Sequence, residues 1–133
     1  MKLLTEYAVG ESLNEVKLDP VTRIDLIKYA GASGDYNPIH TIDEEAKRAG
    51  LPGIIAHGMW TMGNLAKLFT SHYNEGFIKD YSIRFKGMVF LNDVITLKAM
   101  IEEKRVNSLI FSVVAVNQDN KEVLNGQLTY SVY

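Results

Sequence analysis

Apolar and polar residues alternate in four separate runs in the second half of the chain, and this pattern constrains the fold more than any other feature. In the first run, Tyr81, Ile83 and Phe85 alternate with polar residues. A period of two over short runs is typical of β-strands with one face toward a core. The four runs span residues 81–86, 95–102, 109–115 and 124–132. The sequence therefore predicts four strands, each at least half buried.

Short polar turns separate these strands, and one apolar segment precedes them. The turns are predicted at Asn92-Asp93, Asn107-Ser108 and Asp119-Asn120. Connections this short join antiparallel strands. Residues 58–69 carry one charge, Lys67, and a helix that is apolar all round is normally buried. The predicted fold class is α+β, a hot-dog fold with an antiparallel sheet wrapped around one long buried helix. Gly63 within that helix predicts a closely packed neighbour, since glycine costs about 1 kcal/mol there relative to alanine.

Two shorter helices are predicted before the apolar segment. Thr22 has the character of an N-cap, and Asp25 stands where a carboxylate can complete a capping box, so a helix is expected over residues 23–32. Residues 43–50 form one or two helical turns that Gly50 ends.

Length and composition exclude several classes of protein. At 133 residues the chain is expected to form a single domain, residues 1–133. A net charge of -2 argues against a nucleic-acid partner, and the absence of cysteine excludes disulfides, thiolate metal sites and a cysteine nucleophile. No apolar run reaches the ~20 residues of a membrane span, and the N-terminus does not resemble a signal peptide. We therefore expect a cytoplasmic protein without a membrane partner.

The candidate catalytic residues lie between the first two predicted helices. Asp35 and His40 are five positions apart, and Asn37-Pro38 stands between them. Glycine before the acid and proline after it prevent a continuous helix, so the two side chains are expected at the ends of a tight turn. A carboxylate and an imidazole that converge on one point can form an acid–base pair near neutral pH. Taken alone, the two residues are better explained as a capping acid and a surface histidine.

Two motifs in order carry a family resemblance. Residues 33–40 read SGDYNPIH and are followed by Ala46, and residues 55–59 read IAHGM. Both strings and their spacing resemble the MaoC-like dehydratases, or R-specific enoyl-CoA hydratases. The resemblance implies reversible hydration of trans-2-enoyl thioesters of CoA or acyl carrier protein to (3R)-3-hydroxyacyl thioesters, with no cofactor. It favours Asp35 as the base toward one water and His40 as the group that orients this water and shares its proton. Such a pair titrates as a unit.

Five further residues are candidates around this pair. Gly58 begins the apolar helix, where an unpaired amide can donate to the thioester oxygen. His57 adjoins it, either as a substrate contact or as a structural histidine. Asn37 can hold Asp35 by a hydrogen bond within the turn. Arg84 and Lys86 share a strand face and either meet substrate phosphates or are simply solvated.

Two features of the sequence limit the assignment. The three histidines are far apart in sequence and outside any ligand spacing, so no metal site is expected. Some family members place a serine on the central helix near the acid, whereas this helix offers Thr61 and Asn64 there. The supporting hydrogen bond is therefore in question, but the acid–base pair is not.

Other functions of the same fold stay open. A hot-dog acyl-CoA thioesterase would share the architecture, and fold alone does not exclude it. The chain could also be one subunit of a heterodimeric dehydratase, or a non-enzymatic acyl-binding module. An unpaired sheet edge invites a partner, and the resemblance implies a homodimer, with a heterodimer or higher oligomer as the alternative.

Overall fold

The first half of the chain is mostly helical and leads into the central helix. A computed structural model describes residues 2–133. The helix predicted over 23–32 is confirmed as α1, and the Thr22 hydroxyl accepts from the Asp25 amide while the Asp25 carboxylate accepts from the Thr22 amide. The helices are α1 (Arg23–Ser33), α2 (Asp43–Arg48) and α3 (Gly58–Leu65). Single-turn or 3-10 segments cover Leu4–Glu6, Pro38–His40 and Ala66–His72.

The sheet has five antiparallel strands rather than the four predicted. Its strands are β1 (Val16–Lys17), β2 (Gly76–Phe85), β3 (Thr96–Lys104), β4 (Ser108–Val116) and β5 (Glu122–Val132). Their spatial order is β1-β3-β4-β5-β2, and every neighbouring pair is antiparallel. The extra strand β1 is two residues long, too short to produce a visible alternation. β2 begins five residues before the alternation at Tyr81, because its first half pairs with the end of β5.

The central helix packs against the sheet through one face. α3 continues into the 3-10 segment Ala66–His72, so the predicted long helix is present with a tighter second half. The Phe69 ring meets Phe111 of β4 edge to face, with the centroids 4.9 Å apart. Tyr130 of β5 donates its hydroxyl to the His72 carbonyl over 2.6 Å. The hot-dog arrangement predicted from the sequence is confirmed.

Two predictions about burial are wrong for the chain by itself. The central helix is not covered on all sides, since Met59 is 54% exposed and a Cβ on Gly63 would meet nothing within 4 Å. On β2, Tyr81 and Ile83 are half-buried against the core as predicted, whereas Phe85 is 55% exposed. The Tyr81 hydroxyl donates to the Met62 carbonyl, so both features lie where β2, which pairs only with β5, meets α3. Each helix within residues 2–133 is too short or too polar to cross a lipid bilayer.

Candidate active site

A rigid turn presents Asp35 to solvent. Helix α1 ends at Gly34, whose φ of 76° is a left-handed conformation that glycine adopts without strain. The Asn37 amide then donates to Asp35 Oδ1 over 3.2 Å, and the Ile39 amide donates to Asn37 Oδ1 over 3.2 Å. The hydrogen bond predicted for Asn37 is present, but its main-chain amide holds the Asp35 carboxylate while its side chain fixes the next turn.

His40 ends the short 3-10 segment Pro38–His40 and points inward. The side chain is buried, and Nδ1 lies 2.7 Å from the Ile55 carbonyl oxygen. A carbonyl only accepts, so Nδ1 carries the ring proton in the neutral imidazole. The other nitrogen, Nε2, is therefore the acceptor that His40 offers to a substrate, a water or an ion.

His57 lies directly against His40. The two imidazole rings stack with centroids 3.8 Å apart and planes inclined by 22°. His57 is 2% exposed, and its Nε2 donates to the Asp35 carbonyl over 3.1 Å. The Tyr29 ring of α1 contacts the other side of His57, with the centroids 4.8 Å apart. His57 thus touches the backbone of Asp35 and the ring of His40, so it contacts both ends of the turn.

Burial lowers the pKa of His57 below its ordinary value, and the nearby His40 adds to this effect. Its Nδ1 is buried and has no hydrogen-bond partner among residues 2–133. Because Nε2 gives its proton to a carbonyl, Nδ1 carries a lone pair rather than a proton. His57 is therefore neutral at physiological pH, and its Nδ1 is a buried acceptor without a partner in the described residues.

This lowered pKa makes stability depend on pH. Below pH 6.5, the ordinary pKa of histidine, His57 is mostly protonated in the unfolded chain. In the folded chain it takes up a proton only at a lower pH. The contribution of His57 to the free energy of unfolding therefore falls as the pH is lowered through 6.5 and levels off below the folded-state pKa. We expect the urea midpoint to drop more steeply from about pH 7 to about pH 5 in the wild type than in His57→Gln. Parallel pH profiles for the two proteins would contradict a buried neutral His57.

The fold brings three candidate groups to one point. Asp35, His40 and His57 each offer one oxygen or nitrogen atom within 4.8 Å of those of the other two. A water at this point can donate to the carboxylate and to Nε2 of His40, which is an arrangement for general base catalysis. The wide sequence separation of the histidines predicts no metal site. In the fold, however, His40 and His57 lie in contact. These three residues could hold a divalent ion.

Gly58 opens helix α3 directly after His57. As the first helical residue its amide has no partner within the helix, and the helix dipole adds positive charge there. A Cβ built on Gly58 would stand 2.8 Å from Cε1 of Phe85, so this ring occupies the space a side chain would need. Gly58 is exposed and directly follows His57 of the cluster, so its unpaired amide is a candidate oxyanion donor.

Arg84 of β2 points away from this amide. Phe85 faces Gly58, and neighbouring side chains of a strand point to opposite faces. Arg84 accordingly lines a shallow pocket on the sheet together with Gln127. Arg84 and Lys86 are both exposed, and their contact with substrate phosphates stays a prediction.

A groove between α1 and α3 adjoins the site through Tyr29, whose ring contacts His57. Its volume is about 430 Å³, and its lining includes Tyr29, Trp60 and Asn64 but neither Asp35 nor His40. The Asn64 side chain donates to the Trp60 carbonyl of its own helix over 2.9 Å. The Asn64 amide group is therefore engaged within its own helix and not with Asp35.

Sequence reasoning missed three residues that shape the site. Phe85 shares one face of the predicted strand with Tyr81 and Ile83. This pattern could have suggested its contact with the helix. Tyr29 and the carbonyl of Ile55 gave no signal, because their roles depend on how distant segments meet.

Comparison with known proteins agrees with this geometry. Residues 5–131 match the family described as MaoC like domain. A mitochondrial 3-hydroxyacyl-[acyl-carrier-protein] dehydratase of Arabidopsis thaliana is 26% identical over 130 residues, covering 94% of this chain and 77% of that protein. Enoyl-CoA hydratase ChsH3 of Mycobacterium tuberculosis is 33% identical over 96 residues, covering 70% of this chain and 32% of that protein. A fatty acid synthase subunit beta of Aspergillus oryzae is 33% identical over 108 residues, covering 78% of this chain but 5% of that protein.

Solved structures share the fold. The unliganded R-hydratase PhaJ1 from Pseudomonas aeruginosa superposes with a TM-score of 0.88 and 24% identity, over 96% of this chain and 83% of that one. A chain of the ChsH1-ChsH2 complex from Mycobacterium tuberculosis superposes with a TM-score of 0.85 and 19% identity, over 95% of this chain and 98% of that one. The match over nearly all of its length shows that this chain belongs to the MaoC-like domain family.

Proposed function

We propose that the protein catalyses reversible hydration of trans-2-enoyl thioesters to (3R)-3-hydroxyacyl thioesters. The observation that carries this proposal is the convergence of Asp35 and His40 on one point, with both groups oriented by main-chain hydrogen bonds. The names of the relatives, which include an enoyl-CoA hydratase and a 3-hydroxyacyl-thioester dehydratase, support the same reaction class.

In the proposed reaction one water is held between the two groups. It donates one hydrogen bond to the Asp35 carboxylate and one to Nε2 of His40, and its oxygen faces C3 of the enoyl group. Asp35 takes a proton as the C3–O bond forms, and the pair returns a proton to C2 on the same face. His40 orients the water and shares the proton, because Nδ1 is already committed to the Ile55 carbonyl.

Negative charge grows on the thioester oxygen as water adds to C3. The Gly58 amide is the proposed donor to that oxygen, because it is an unpaired amide at a helix N-terminus. The Phe85 ring lies against Gly58, in the space that a Cβ would take. The proposed substrate is thus a thioester whose carbonyl reaches Gly58 while its double bond lies over Asp35 and His40.

We expect the protein to work as a dimer. Strand β2 has one unpaired edge and lies beside the exposed face of α3, which includes Met59 and Gly63. An open edge next to apolar surface is a common site for association. Light scattering coupled to gel filtration should give twice the mass of one chain, whereas a monomer would contradict this part of the proposal. If the pure protein shows no activity in the assay below, a heterodimer with a second subunit is the alternative.

An assay with crotonyl-CoA tests the reaction directly. Loss of the conjugated double bond without release of free thiol is the expected result. Release of thiol would instead indicate a thioesterase. Neither change in the pure protein would contradict an autonomous hydratase and favour a non-enzymatic or incomplete subunit. The assay should be repeated with crotonyl-acyl carrier protein, because the names of the relatives include both carriers.

A further inference from the structure

The cluster of Asp35, His40 and His57 has a property that hydration does not require. Each histidine donates one ring N–H to a main-chain carbonyl, His40 to Ile55 and His57 to Asp35. Such outer hydrogen bonds fix the tautomer and leave the other nitrogen deprotonated, as in metal-ligating histidines. The hydration chemistry uses only one of the two lone pairs prepared in this way.

The second lone pair belongs to Nδ1 of His57. It is buried and unpartnered among residues 2–133, in a histidine that is 2% exposed. Buried polar atoms without a partner are uncommon, and each invites an explanation. A ligand that accepts a lone pair would satisfy this atom, and a metal cation does so.

We propose that Asp35, His40 and His57 form a binding site for a divalent transition-metal ion, and that the bound ion inhibits hydration. Two imidazole nitrogens and one carboxylate oxygen suit Zn²⁺, Co²⁺, Ni²⁺ or Cu²⁺. Mg²⁺ and Ca²⁺ prefer sites built from oxygen alone. Binding of the ion stands on the geometry by itself, whereas its inhibitory effect rests on the proposed function.

One nitrogen of each histidine and one Asp35 carboxylate oxygen lie within 4.8 Å of one another. A metal lies close to the plane of each imidazole that binds it, so the stacked rings of His40 and His57, inclined by 22°, must turn toward a shared ion. Around zinc, with bonds of about 2.0–2.1 Å, tetrahedral ligand atoms stand roughly 3.4 Å apart. Asp35 is exposed and can rotate toward the buried imidazoles, which also makes its side the entry path for the ion.

A bound ion would stop the reaction by occupying its acceptors. The Asp35 oxygen and Nε2 of His40 are the two groups proposed to accept protons from water. When both coordinate an ion, neither can take a proton from the water that attacks C3. We therefore expect inhibition that a chelator reverses.

Metal binding is tested without substrate, on protein freed of any affinity tag. Calorimetric titration with Zn²⁺ and visible absorption with Co²⁺ should both show one site per chain in the wild type. Asp35→Asn and His57→Gln should each weaken binding at least about tenfold. His72→Gln is the matched control, because His72 is the third histidine and is buried against Glu75 outside the cluster. Asp35→Asn replaces an exposed side chain, so it tests the site even if His57→Gln does not fold.

Each outcome decides the proposal. Absence of binding in the wild type, unchanged binding in Asp35→Asn, or loss of binding in His72→Gln with its fold intact would overturn the metal site. If crotonyl-CoA is hydrated, Zn²⁺ should inhibit over the same concentrations at which it binds, and EDTA should restore the rate. Metal binding without any hydration would refute the proposed function alone, whereas hydration without metal binding would refute this inference alone.

Discussion

Asp35→Asn is expected to reduce the rate of crotonyl-CoA hydration at least about 100-fold, and His40→Gln by a similar factor. The amide of Asn cannot take a proton from water, although it preserves the shape of the side chain. Gln at position 40 removes the ring nitrogen that faces the water. The double variant should lose little more than either single variant, because groups that act as a unit are not additive. Initial rates of absorbance loss from the conjugated thioester measure all three.

Controls for these variants come from the same chain. Asp119→Asn changes a carboxylate on the β4–β5 turn, and His72→Gln changes a buried histidine at the end of the central helix. Both should keep nearly the full rate. Circular dichroism should show that the catalytic variants remain folded, since Asp35 is exposed and the Asn37 turn does not depend on its charge. A folded Asp35→Asn or His40→Gln with a near-normal rate would refute the assigned pair.

The sequence was sufficient to predict the local parts of this fold. Capping by Thr22 and Asp25, the break at Gly34 and the turn through Asn37-Pro38 all depend on neighbouring residues. Apolar periodicity indicated the sheet and the central helix for the same reason. These features together gave the hot-dog fold, and they placed Asp35 and His40 at the ends of one short turn.

The contacts between distant segments could not be predicted in this way. His57 lies 17 positions after His40 in the sequence, and its stacking on His40 depends on how the start of α3 docks on the Asp35–His40 turn. The apolar composition of α3 predicted full burial, but it did not distinguish a face covered by the sheet from the exposed face at Met59. Gly63 likewise predicted a closely packed neighbour, but a Cβ built at this position would meet nothing within 4 Å.

Replacement of Gly58 by proline is expected to lower kcat about 100-fold or more relative to Gly58→Ala, because proline lacks the amide proposed to stabilise the oxyanion. The position allows this test. Gly58 is the first residue of α3, where proline is well tolerated, and His57 already has the extended backbone, φ -60 and ψ 136, that a residue before proline adopts. Both variants should therefore keep the helix.

Gly58→Ala is the matched control for steric effects. Its Cβ would stand 2.8 Å from the Phe85 ring, as would that of proline, so both variants displace this half-exposed ring. Making Gly58→Pro and Gly58→Ala in a Phe85→Ala background removes the ring that either new Cβ would contact. The gap between proline and alanine should persist there, since it reflects the missing N–H rather than crowding. Equal kcat values for the two substitutions in that background would mean that the thioester oxygen takes its hydrogen bond from a donor other than the Gly58 amide.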